Sequence, residues 1–162
     1  MTIALFIGRF QPFHNGHLAV IKDLLHHYDH VNIVIGSAQE ERTEKNPFSA
    51  DEREEMIRST LEAERLPEHY SIFKAEDKND DEKWALHVME LCHFDIAFTN
   101  NAWPARCLEK LGIEVKNHKF YNRDELIGTD IRELIRKGES WEELVPATVA
   151  DYIKKWLMTD SV

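Results

Sequence analysis

Short apolar runs alternate with helix-length segments along this chain. The runs at residues 2–7, Val31–Ile35, Tyr70–Phe73, Asp95–Thr99 and Ile113–Val115 read as strands, and most of the stretches between them are long enough for a helix. Continuous apolar runs suit strands buried on both faces, so the rhythm is that of a parallel sheet built from βαβ units. It predicts an α/β fold: a parallel sheet of five or six strands, helices on both faces and a small C-terminal helical tail. Helices are expected at His17–Tyr28, from Ser49 onward, at Asp81–Cys92 and at Pro104–Leu111, the last stopped by Gly112. Ser49-Ala50-Asp51-Glu52 has the form of a capping box. The tail reads as Thr129–Lys137 closed by Gly138, Ser140–Leu144 opened by a second capping box to Glu143, and Pro146–Leu157, where proline suits a first helical position. No repeat, low-complexity tract or Gly/Ser linker interrupts residues 1–162, which are read as one domain.

Composition narrows the partners. A net charge of −10 argues against nucleic acid, since a polyanion bound along its length needs a basic surface. A small anion needs only local positive charge, for which Arg9, His14, His17, Arg42, Lys45, Arg53 and Arg132 are available. Cys92 and Cys107 stand alone, with neither zinc-like nor disulfide-like spacing. No stretch has membrane-spanning length, and the first strand follows Met1 without a charged leader. Together these predict a cytoplasmic protein that binds no membrane.

The chemistry concentrates in two strings. Gly8-Arg9-Phe10-Gln11-Pro12-Phe13-His14-Asn15-Gly16-His17 lies between the strand-like Ile3–Ile7 and the helix-like Leu18–Leu25. Such a junction offers unpartnered amides at a positively polarised helix start, a natural phosphate site. The three-residue spacing sets His14 and His17 one turn apart, facing the same volume. The plainer alternative is that these histidines merely cap or fill. Leu126-Ile127-Gly128-Thr129-Asp130-Ile131-Arg132 is read as opening a second helix, with its amides, the Thr129 hydroxyl and Arg132 able to meet phosphate oxygens; the alternative is an ordinary cap. The acidic stretch Glu76–Glu82 reads either as metal carboxylates or as a solvated loop, and His26–His30 as the cationic end of a helix rather than a ligand set.

The decapeptide, with Gly36-Ser37-Ala38-Gln39, Asn46-Pro47-Phe48-Ser49-Ala50 followed by Glu52-Arg53, and Gly128-Thr129 with Arg132, resembles the archaeal-type nicotinamide mononucleotide (NMN) adenylyltransferases of the HxGH nucleotidyltransferase superfamily. The resemblance spans nearly the whole chain. It implies a Rossmann-like (HUP-type) fold, transfer of AMP from ATP to NMN to give NAD and pyrophosphate, and Mg2+ brought with ATP rather than held in a protein cage. It implies catalytic roles for His14, His17 and Arg132. Gly8, Arg9, Phe10, Gly16, Lys45, Ile127, Gly128 and Thr129 would bind ATP, and Phe13, Ser37, Asp77, Trp84 and Asn101 would bind NMN. A homo-oligomer is also implied. Some bacterial relatives carry a fused Nudix-type pyrophosphatase domain, for which 162 residues leave no room. Three positions depart from the family pattern: Lys45 stands where relatives often have arginine, Thr99-Asn100-Asn101 where they show Ser-Gly-Asn, and Ile127-Gly128-Thr129 where they show Ser-Gly-Thr. Other acceptors (nicotinic acid mononucleotide, phosphopantetheine, flavin mononucleotide) and a non-catalytic nucleotide sensor are the alternative readings.

Overall fold

The computed structural model describes residues 1–99, 101–118 and 124–159. Strands β1 (Ile3–Gly8), β2 (His30–Ile35), β3 (Tyr70–Lys74), β4 (Ile96–Phe98) and β5 (Val115–Lys116) form one parallel sheet in the order β3-β2-β1-β4-β5. Between and after them run α1 (Asn15–His27), α2 (Ala50–Ala63), α3 (Asp81–Leu91), α4 (Ala102–Glu109), α5 (Asp124–Lys137) and α6 (Ala147–Thr159). None of the helices is long and apolar enough to cross a membrane.

Strand alternation divides the core in two. Ala4 and Phe6 of β1, Val31, Ile33 and Ile35 of β2, and Ile96 and Phe98 of β4 face one cluster, closed by apolar residues of α1, α2, α5 and α6. Leu5, Ile7, Val34 and Ala97 face the opposite cluster, closed by α3 and α4. Burying a side chain such as Phe6 or Ile33, both at 0% exposure, contributes about 1.5–3 kcal/mol each. This two-faced burial is why the strands read as near-continuous apolar runs.

Five elements differ from the sequence reading. The first helix starts at Asn15 rather than His17, because His14 serves as its N-cap. α4 and β5 are each displaced by about two residues, within the usual fraying of ends. α5 starts at Asp124, so Gly128 and Thr129 lie inside the helix and not at its start. Glycine mid-helix reads as a breaker, which is why the sequence places the start after it. Ser140–Leu144 contains only a 3-10 turn at Glu142–Leu144, and the Ser140 hydroxyl donates to the Glu143 carboxylate at 3.1 Å instead of accepting from an amide. The Ser49–Glu52 capping box is present as expected. Gly138, at φ +71°, closes α5 through the paired bonds Gly138 N–H to Ile135 O and Glu139 N–H to Leu134 O.

Candidate active site

The chain fills the sheet on one side of β1 with β2 and β3, then on the other with β4 and β5. The crevice beyond the C-terminal ends of β1 and β4 is therefore a topological switch point, where ligands bind in open α/β sheets. The decapeptide begins at Gly8, the last residue of β1, and runs into this crevice.

His14 and His17 are arranged by the helix start itself. Nδ1 of His14 accepts the amides of Gly16 at 3.1 Å and His17 at 3.4 Å, while Nδ1 of His17 accepts the amide of His14 at 3.0 Å. A ring nitrogen that accepts carries no proton, so each neutral imidazole holds its proton on Nε2. The rings stack at 3.6 Å and 21°. This corrects the sequence expectation of free amides at the start of α1: the amides of Gly16 and His17 are already taken. The ring protons therefore sit on the Nε2 atoms of two imidazoles that line the cleft, that of His17 being buried. Phe13 lies nearly parallel to His17 (5.6 Å, 16°) and Phe10 meets it edge-on at 4.7 Å, so the imidazole is clamped. Phe10 itself sits at φ 57°, a left-handed conformation costly for a residue with a Cβ and found preferentially at functional sites.

Arg132 reaches the same crevice from α5, donating through Nη1 to the Gln11 carbonyl at 2.8 Å and through Nη2 to the Thr129 hydroxyl at 3.2 Å. It passes over Gly128, where a Cβ would stand 3.1 Å from Nη1. Because α5 begins earlier than expected, the amides of Gly128 and Thr129 are spent in the helical ladder, which leaves the Thr129 hydroxyl as their polar contribution. Lys45 arrives on the loop before α2. The Gln11 side chain pins that loop by donating to Phe48 O at 2.9 Å and accepting from Phe48 N at 3.0 Å. Arg42 pins it further with a two-pronged bond to Glu52. The resulting cleft, about 130 Å³, is lined by Arg9, His14, His17, Lys45, Thr129 and Arg132, together with Phe10, Gln11, Asn101 and Gly128. No carboxylate is among the described lining residues.

Other expected residues lie around the cleft rather than in it. Gly8 accepts the Gly36 amide at 2.8 Å and Gly16 is held by His14, so both shape the backbone. Ile127 packs against the larger core cluster. Ser37, at φ 48°, donates to Asp77 Oδ1 at 3.1 Å, and the Gln39 amide donates to Asp77 Oδ2 at 2.9 Å, which fixes the acid beside the β2 end. Phe13 and Trp84 are 0% and 1% exposed, so neither ring presents a face to a ligand as folded here. Trp84 packs against Trp103 at 4.9 Å, and its Nε1–H has no partner among the described residues. Asn100 lies outside the described residues. Elsewhere in the acidic stretch Asp80 caps α3, and Asp81 accepts from Trp103 and Lys110. Among the candidate cations, Arg42 is engaged by Glu52 and Arg53 is 0% exposed, so neither is offered to a ligand. Gln11 was given no role by the sequence; nothing in the string signals that it would tie the Lys45 loop to Arg132.

Comparison with known proteins agrees with this geometry. The cytidylyltransferase-like family matches residues 5–134. A nicotinamide-nucleotide adenylyltransferase of Thermoplasma volcanium is 44% identical over 94% of this chain and 85% of its own length, and one of Archaeoglobus fulgidus is 41% identical over 94% and 90%. A crystal structure of a bifunctional NMN adenylyltransferase/ADP ribose pyrophosphatase from Francisella tularensis superposes with a TM-score of 0.83 at 24% identity. That match covers 99% of this chain but only 51% of the bifunctional protein, and it shows the Rossmann-like fold. The chain belongs to the cytidylyltransferase-like family and, within it, to the nicotinamide-nucleotide adenylyltransferases.

Proposed function

We propose that the protein transfers the adenylyl group of ATP to the 5′-phosphate of NMN, giving NAD and pyrophosphate. The observation that carries this reading is the convergence of Arg9, Lys45, Arg132 and the His14 and His17 imidazoles on one cleft at the sheet's switch point, with no carboxylate among its described lining residues. Such a set suits a polyphosphate. Catalysis of this transfer needs positioning and stabilisation of charge on oxygens, not a protein nucleophile.

In the proposed step an NMN phosphate oxygen forms a bond to the α-phosphorus of ATP as the bond from that phosphorus to the β-bridging oxygen breaks, and its electron pair leaves with pyrophosphate. His14 and His17 donate to the α-phosphate oxygens as their charge grows. Arg9, Lys45 and Arg132 hold the β- and γ-phosphates. The lysine grips as a compact point charge, where arginine would chelate. Among the described lining residues there is no carboxylate to cage a cation, so Mg2+ would enter as part of the ATP complex, carried by phosphate and water, and Thr129 is the hydroxyl the lining would offer it. Once bound it would supply charge neutralisation on the triphosphate. The acceptor is assigned to the Ser37–Asp77 side. Supporting this, the buried Trp84 indole N–H has no partner among the described residues, a costly state that a ligand carboxamide oxygen would relieve once the indole turned to meet it.

Pyrophosphate release with ATP and a panel of acceptors tests the reading. NMN should give pyrophosphate and NAD in equal amounts. A clear preference for nicotinic acid mononucleotide, phosphopantetheine or flavin mononucleotide would replace the acceptor, and ATP binding with no turnover would favour a sensor.

A further inference from the structure

Arg53, on the second turn of α2, is 0% exposed, and its five hydrogen bonds all go to main-chain carbonyls. Nε donates to Ser49 O at 3.2 Å, Nη1 to Arg9 O at 2.9 Å and Gly36 O at 2.8 Å, and Nη2 to Ser37 O at 3.1 Å and Glu40 O at 3.3 Å. Burying a cation is expensive unless its donors are met, and here dipoles meet them in place of a counter-ion. Burial, with the Arg9 charge adding to it, pushes the guanidinium down to about 10, which leaves it charged at neutral pH.

The carbonyls belong to different parts of the site. Arg9 belongs to the phosphate cleft, Gly36 and Ser37 lead to Asp77, and Glu40 opens the loop that carries Lys45. Two of these segments are also strained: Phe10, next to Arg9, has φ 57° and Ser37 has φ 48°. Left-handed backbone at non-glycine residues persists only where the surroundings over-determine it. Planar five-donor geometry is what lets one side chain gather such divergent acceptors.

We propose that Arg53 is a positioning residue, whose buried guanidinium locks the Arg9 and Ser37 loops together and so sets the separation between the ATP phosphates and the attacking acceptor phosphate. This rests on the adenylyltransferase reading above. Arg53 touches no substrate; it acts through the backbone of Arg9 and Ser37.

The test is Arg53→Lys in the full chain, assayed with ATP and NMN at least 20 °C below its own melting temperature. Lysine keeps the charge but cannot reach all the carbonyls. Positioning predicts a kcat at least tenfold lower with both KM values within about threefold, since loosening of this kind acts on alignment. A purely structural role predicts a lower melting temperature with kcat unchanged, and that result overturns the proposal. Ser37→Gly provides the second arm. It removes the φ penalty that Arg53 holds against, so it should cost at least threefold less in kcat in the Arg53→Lys background than in the parent. Equal costs in both backgrounds overturn the link to Ser37. If Arg53→Lys folds poorly, trimethylamine N-oxide is added to both proteins to restore compaction before the same ratios are read. Turnover by the parent protein is measured alongside, so that failure of the adenylyltransferase reading shows as an inactive parent and failure of this proposal as an unaltered variant.

Discussion

His14 and His17 cap each other: each Nδ1 accepts a main-chain amide belonging to the other residue. One pair of hydrogen bonds thereby ends the helix, fixes both tautomers and puts the proton of each ring on Nε2. Capping and chemistry are carried by different nitrogens of the same rings, so they can be separated.

His14→Asn retains a strong N-cap acceptor, and His17→Gln retains the side chain a capping box uses at its third position. Both should melt within a few degrees of the parent. Each loses a donor aimed at developing phosphate charge, so kcat should fall by about 100-fold or more. Calorimetry paired with pyrophosphate release checks this, and a kcat within tenfold of the parent would return the histidines to a structural role.

Gly128→Ala sets stability against function. Alanine in a helix interior is favoured over glycine by about 0.5–1 kcal/mol, so the melting temperature should rise by roughly 1–4 °C. The new Cβ would stand 3.1 Å from Arg132 Nη1, which must shift by a few tenths of an ångström and loosen its bond to Gln11 O. The expected result is kcat/KM for ATP reduced by about three- to tenfold in a more stable protein. An unchanged kcat/KM would show that Arg132 needs no fixed seat.

The sheet was legible because its information is local: apolar runs for strands buried on both faces, and Ser49–Glu52 for the start of α2. The two histidines and Arg132 were legible because their strings sit at chain positions that a βαβ fold delivers to one crevice. Arg53 and Gln11 were not. Arg53 acts on carbonyls of residues 9, 36, 37, 40 and 49, and the Gln11 side chain on the main chain of Phe48; no side-chain pattern records where a carbonyl will point. Reading Arg53 as one more candidate phosphate cation was reasonable from charge alone, and only burial overturns it. Trp84 shows the converse case: its motif position is clear, while the packing of Trp103 against it emerges only when α3 and α4 are brought together.

The Arg42–Glu52 fork gives a pH signature. Burial alone would raise the Glu52 carboxyl, but the Arg42 guanidinium and the Ser49 amide outweigh it and hold the pKa below its ordinary 4.5. A carboxylate depressed in the folded state stabilises fully above the unfolded value and loses that contribution as pH falls through the folded one. Glu52→Gln keeps the capping box and removes the charge. It should be less stable than the parent by about 1 kcal/mol at pH 7, with the gap narrowing below 4.5 and closing once the parent's carboxyl is protonated. Denaturant melts from pH 7 down to 3 measure the gap, and a pH-independent difference would assign the loss to packing.

Both cysteines are free, and their surroundings make them poor nucleophiles. Desolvation pushes the Cys92 thiol up to about 11 and raises that of Cys107, which is 1% exposed. Since the thiolate is the reactive form, roughly one part in a thousand of Cys92 is ionised at pH 8, against about a quarter for an unperturbed thiol. Iodoacetamide should label the native protein at least about 100-fold more slowly than the urea-unfolded chain, and brief treatment should leave pyrophosphate release intact. The direct displacement proposed here needs no thiol. Rapid labelling of one native cysteine with matching loss of turnover would point instead to a covalent adenylyl-enzyme step.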